Sequence, residues 1–109
     1  MTNLTMMVLR MPRDNADAIA AAFAEHDQTD LPKLLGARTR TLFRFHDLYL
    51  HMVESDADLV PRLYESHADE RFHQINSAIA PLVRPYRPES WHELKDNVAD
   101  QFYHHRWTY

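Results

Sequence analysis

A chain of 109 residues, 45% apolar and 26% charged, has the composition of one globular domain with room for a single core. Its formal charge of -4 speaks against a dedicated nucleic-acid binder, and its single glycine rules out phosphate-cradling loops and dinucleotide fingerprints. The lack of cysteine excludes disulfides, thiolate metal sites and a cysteine nucleophile. No apolar run approaches the roughly 18 residues of a membrane helix and no signal-peptide core is present, so a cytoplasmic protein without membrane contact is expected.

Leu4 to Met11 is a mostly apolar run suited to a strand buried on both sides or nearly so, and Pro12 ends it. Asp14, with Asp17 three residues on, suits a helix N-terminus. Ala16, Ile19, Ala20 and Phe23 then form one apolar stripe, and a further turn carries His26 and Asp27 toward the sheet or its rim. Gln28 to Leu35 reads as a loop, with Pro32 and Gly36 marking entry to the next strand.

The segment RTRTLFRFHDLYLHMVES, Arg38 to Ser55, predicts a hairpin turning at His46-Asp47. Phe45 then faces Leu48, Phe43 faces Leu50 and Leu42 faces His51. One face collects Thr41, Phe43, Phe45, Leu48, Leu50 and Met52. The other presents Arg38, Arg40 and Arg44 around Leu42, Tyr49, His51 and Val53.

Ser55 and Asp58 signal a short helix that ends near His67, and Asp69 caps a longer one with Phe72, Ile75, Ile79 and Leu82 on one face. Pro81, Pro85 and Pro88 end helical structure, and Glu89 to Asp96 reads as a loop with a helical turn. The aromatic-rich stretch Gln101 to Thr108 predicts a final strand. The order β-α-β-β-α-β is the ferredoxin-like α+β pattern, a four-stranded antiparallel sheet with helices on one face, in a single domain spanning residues 1–109. The helices are expected over Phe43, Phe45, Leu48 and Leu50. That leaves the arginine-and-His51 face to water, a ligand or a second subunit, the last giving a dimeric α+β barrel-like assembly.

Arg40 and His51 are diagonal neighbours in this register. An imidazole moves protons near neutral pH, and a fixed guanidinium stabilises an enolate or alkoxide as it forms. The alternative is that the arginines merely solvate an open sheet face. His26 and Asp27 end the helix stripe, where a histidine is also favoured by the helix dipole alone. Eight histidines invite a metal, yet HExxH is absent and the His46/His51 and His67/His73 spacings match no common ligand set. His104 and His105, consecutive in the expected last strand, would point to opposite faces, so no metal site is expected.

The stretches AAAFAEHDQTDLP, GARTRTLFRFHDLYLHMVE and WHELKD resemble the small aromatic polyketide cyclases of the tetracenomycin F2 cyclase type, over nearly the full length. The resemblance implies a dimeric ferredoxin-like enzyme that works beside bacterial type II polyketide synthases without a cofactor. Its reaction would be an intramolecular aldol condensation with loss of water, closing a later ring of an aromatic polyketide. The family's site residues fall on His26, Asp27, Arg40 and His51. His51 would transfer protons, Arg40 would polarise a carbonyl or hold an enolate oxygen, and His26 and Asp27 would assist. Arg38, Leu42, Arg44, Tyr49 and Val53 are the expected substrate-binding wall. Implied partners are the polyketide, a second copy of the chain, and components of the synthase in passing. The chain departs from the family pattern in LPKLLGARTR, where Lys33, Ala37 and Thr39 reshape the pocket mouth, and in the terminal HHRWTY. Rival readings are a cofactor-free anthrone-type monooxygenase of the same architecture and a non-catalytic polyketide-binding subunit.

Overall fold

Over the described residues, 2–109, this computed structural model runs in the order β1 (Asn3–Arg10), α1 (Ala16–His26), α2 (Leu31–Leu34), β2 (Ala37–Phe45), β3 (Leu48–Ser55), α3 (Leu59–Glu65), α4 (Glu70–Ile79) and β4 (Arg84–Pro85). The sheet order is β2-β3-β1-β4 and every pairing is antiparallel, which is the ferredoxin-like arrangement.

The hairpin forms in the expected register, with Phe45 opposite Leu48 and Leu42 opposite His51. His46 takes a left-handed φ of 55° to close the two-residue turn. The turn is tied down from β1 by Met11 N–H donating to the Asp47 carbonyl (2.8 Å) and by the Arg10–Asp47 ion pair (2.8 Å). At the far end of β2, Gly36 has a φ of 77°, a conformation open to glycine at little cost. The register then slips between Ala37, opposite Ser55, and Thr39, opposite Glu54. Arg38 occupies that bulge.

The helices lie on the other face from the one expected. Along β3, Tyr49, His51, Val53 and Ser55 are buried and Leu48, Leu50, Met52 and Glu54 are not. Phe43 and Phe45, assigned to the core by their size, stay 47% and 59% exposed. The physical reason lies in the partners of each face. β1 is apolar on both sides, so it favours neither, but its Thr5, Leu9 and the following Met11 fall on the His51 side. There Leu9 and Met11 meet the Ile19 and Phe23 stripe of α1 and Ile79 of α4. The polar groups on that face bond to one another, which permits their burial.

Met11, Ile19, Phe23, Tyr49 and Ile79 make the core cluster, with Leu9, Leu42 and Ile75 packed against it. Burial of an Ile or Phe side chain contributes roughly 1.5–3 kcal/mol. Two of the three expected caps are present: Asp58 accepts from Val60 N–H (3.4 Å) and Asp69 from Arg71 N–H (2.8 Å). α1 begins after a 3₁₀ turn at Arg13–Asn15 rather than on an Asp14 cap, and the Asn15 amide instead donates to the Leu82 carbonyl (3.1 Å). α2 stands where a plain loop was expected.

The fourth strand also differs. It is Arg84–Pro85, pairing with Arg10 and Leu9 of β1, and residues 99–109 adopt no regular structure. An edge position tolerates a proline because one side needs no donor. Val98 bridges Met7, and Ala99 N–H donates to the Met6 carbonyl (2.7 Å), so the C-terminal segment meets the same edge before leaving it. Phe102 and Trp107 beyond it are exposed.

Candidate active site

Between the sheet and the helices lies a mostly apolar cavity of about 160 Å³ that is partly open to solvent. β1 contributes Met7 and Leu9, β2 Arg40, and β3 Tyr49, His51 and Val53. Phe23 and His26 come from α1, with α2, α3 and α4 closing the apolar walls. Leu94, held in a 3₁₀ turn, touches it from the C-terminal segment.

The arginine of that wall is held from several sides. Its Nε and Nη2 donate to the Asp27 carboxylate at 2.9–3.1 Å, a side-on ion pair with Asp27 at the C-terminal cap of α1. Its Nη1 lies 2.8 Å from His51 Nε2, and its guanidinium carbon stands 4.4 Å from the centre of the Phe23 ring. The diagonal predicted from the hairpin register is therefore a direct contact. Of the five N–H groups of a guanidinium, these bonds engage one on Nε and one on each Nη, leaving one on each Nη.

His51 is 5% exposed and both of its ring nitrogens are engaged, Nε2 by Arg40 and Nδ1 by the Tyr49 hydroxyl at 2.8 Å. Burial, then the Arg40 charge, pushes its pKa down to about 3. His26 faces the same cavity, half-buried, and the hydrogen bonds it makes among the described residues run through its backbone, its carbonyl accepting from Thr29, and not through its ring. Burial first and Arg40 second hold it below the ordinary imidazole value, against the opposing pull of Asp27. The lowered value favours the neutral imidazole beside a fixed cation.

The structure thus brings His26, Asp27, Arg40 and His51 together, with Tyr49 and Val53 in the same wall. Three of the expected wall residues stand elsewhere. The bulge turns Arg38 outward, where it is paired bidentately with Asp56 (2.8 and 2.9 Å) and 69% exposed. Arg44 is exposed over the start of α1. It and Leu42 line a separate cleft with Ala16 and Ala20, and only Tyr49 borders both spaces. Sequence reasoning missed Phe23 as the ring beneath Arg40, although its place three residues before His26 on the apolar stripe put it on that side. Among the described residues, no group of three or more His, Cys, Asp or Glu side chains is placed to hold a metal ion.

Residues 3–107 match the family described as polyketide synthesis cyclase. The chain belongs to this family. Tetracenomycin F2 cyclase of Streptomyces glaucescens is 48% identical over 94% of the chain and 92% of its own length. The solved structure of that type II polyketide cyclase superposes with a TM-score of 0.89, at 46% identity over 98% of both chains. Polyketide synthase CurG of Streptomyces cyaneus is 34% identical over 91% of the chain and 92% of its own length. A putative antibiotic biosynthesis monooxygenase from Chloroflexus aurantiacus shares the fold at a TM-score of 0.56 and 13% identity, covering 86% of the chain and 99% of its own. This polyketide cyclase is therefore a homologue of an enzyme, and no helix among its described residues is long and apolar enough to cross a membrane.

Proposed function

We propose that this cyclase closes a later ring of an aromatic polyketide intermediate by intramolecular aldol condensation and loss of water, in a type II pathway. The observation that carries it is the Arg40 guanidinium, held by Asp27 and His51 with an N–H to spare on each Nη, beside the unengaged His26. His26 takes a proton from a methylene flanked by carbonyls, and Arg40 holds the developing enolate or alkoxide oxygen. The new C–C bond forms at the attacked carbonyl carbon as its C=O π bond breaks, the protonated His26 returns its proton to the alkoxide, and that hydroxyl leaves as water with a hydrogen from the adjacent carbon, giving a conjugated C=C bond. Asp27 and His51 hold the guanidinium in place. This moves the proton-transfer role from His51, both of whose nitrogens are occupied, to His26.

A methylene between two ketones is already acidic, so the cavity's main contribution is to hold a flexible chain in one near-attack conformer. The decisive experiment is incubation with a linear or partly cyclised aromatic polyketide, followed by mass and NMR analysis. A product lighter by one water and carrying a new ring supports the proposal. Oxygen uptake with an anthrone would point to the monooxygenase reading instead, and binding without acceleration to a non-catalytic subunit.

For partners, we infer a homodimer through the helix-free sheet face, where Leu4, Val8, Leu50, Phe43 and Phe45 form an apolar surface that the helices leave bare. Contact with synthase components is transient, confined to delivery of the polyketide.

A further inference from the structure

The hydrogen-bond chain that begins at Asp27 has a fixed direction. A guanidinium N–H can only donate, so the 2.8 Å contact from Arg40 Nη1 makes His51 Nε2 an acceptor without a proton. A neutral imidazole with a bare Nε2 carries its hydrogen on Nδ1. That hydrogen is donated across 2.8 Å to the Tyr49 hydroxyl oxygen. The hydroxyl's own hydrogen is then left over, since His51 is the one side-chain partner of that oxygen among the described residues. Tyr49 is only 3% exposed, and it borders the cavity. A buried hydroxyl hydrogen without a protein acceptor calls for one from outside the protein.

We propose that Tyr49 is a second substrate anchor, its hydroxyl donating to an oxygen of the polyketide other than the one that Arg40 holds. The His51 ring stands between the two donors, with one on each of its nitrogens. They are spread too far to converge on one oxygen, so together they register the chain on two of its carbonyls. Register decides which carbon meets which carbonyl, which makes Tyr49 a determinant of ring position rather than of rate alone. Burial raises the pKa of the Tyr49 hydroxyl well above its ordinary value, so the donor keeps its proton through the neutral range. No proton changes hands at Tyr49.

The inference rests on the cyclase reading, and the test keeps the two apart. Tyr49→Phe removes one oxygen from a buried ring. With a linear polyketide as substrate, it is expected to lower kcat/KM about tenfold and to shift product from the native ring toward misfolded rings. A variant with wild-type rate and product ratio overturns the anchor. Binding of 1,8-dihydroxyanthraquinone, followed by fluorescence quenching, needs no turnover. Weakening of about tenfold in Tyr49→Phe supports the anchor, whereas equal binding, or none to the wild type, overturns it. In the wild-type protein, ¹⁵N NMR should find His51 protonated on Nδ1 and bare on Nε2 from pH 5 to 8. Protonation on Nε2 reverses the chain and removes the basis of the inference. If the wild type accelerates no cyclisation, the cyclase reading fails while the quenching and NMR results still decide the role of Tyr49.

Discussion

Arg40 Nη1 and His51 Nε2 lie 2.8 Å apart across a diagonal of the β2–β3 pair, and Asp27 clasps the same guanidinium from the end of α1. Two contacts on different edges of one planar group fix its orientation as well as its position. Arginine is the only side chain whose fork serves both at once.

Arg40→Lys therefore does more than shorten a side chain. An ammonium is a point donor and cannot bridge Asp27 and His51 while still presenting spare N–H groups. The expected result is a fall of about 10²–10³ in kcat with products redirected, read by chromatography and mass spectrometry. A lysine variant that keeps both rate and products would remove Arg40 from the chemistry.

His26 must be neutral to accept a proton, and burial and Arg40 hold its pKa below 6.5. The acidic limb of kcat/KM should accordingly fall below pH 6.5. His26→Gln should lower kcat by about 10²–10⁴ and abolish the limb. Persistence of that limb in the variant would assign the base elsewhere.

Stability should fall with acid in a window set by the same histidines. His51 titrates near 3 in the folded protein and near 6.5 when unfolded, so between these values the unfolded chain binds more protons. Its contribution is complete above pH 6.5 and declines as pH drops toward 3, and His26 acts in the same direction. Asp69, pulled down to about 2 chiefly by its hydrogen bonds to Arg71, adds loss only below its ordinary 3.8. Urea midpoints should thus already drop between pH 7.5 and 5.0, and His51→Gln should flatten that part of the curve.

Phe23 serves the core and the site together, packing beneath Arg40 and edge-on to His51 at 4.9 Å. Phe23→Ala should cost about 3–5 kcal/mol of unfolding free energy by denaturant titration. Phe23→Leu should retain most of the stability while losing the aromatic surface under the guanidinium, and its kcat should fall even where its fold does not.

Phe43→Lys with Phe45→Glu tests the assembly. Both side chains are exposed in the single chain, so the fold should tolerate the charges while the dimer does not. Sedimentation should report a monomer for the variant and a dimer for the wild type. A monomeric wild type would leave the apolar face without a second copy.

Much of the site could be read from the hairpin, because a two-residue turn fixes every cross-strand pair by counting outward from it. Counting from His46 and Asp47 put Arg40 diagonal to His51. The α1 periodicity sent His26 and Asp27 toward the same side, since a helical stripe keeps its face until the helix ends. Arg38 escaped that count because a bulge near Gly36 breaks the alternation, and nothing in RTRT marks it. The final strand was misplaced because aromatic content resembles β propensity, whereas a two-residue edge strand carrying a proline leaves almost no pattern.

By itself, then, the amino-acid order determined most of the element succession, the hairpin register and the diagonal of Arg40 and His51, all products of local geometry and short-range spacing, while the resemblance to the cyclases singled out His26 and Asp27 beside them. Which sheet face the helices cover was decided only in three dimensions. Both faces carry enough apolar surface to be buried, and the choice turns on what each meets across the interior. The His51 side meets α1 and α4, and its polar groups find one another there: Asp27 with Arg40, Arg40 with His51, His51 with Tyr49. No single strand encodes that mutual satisfaction, which is what turns a polar sheet face into the wall of a cavity.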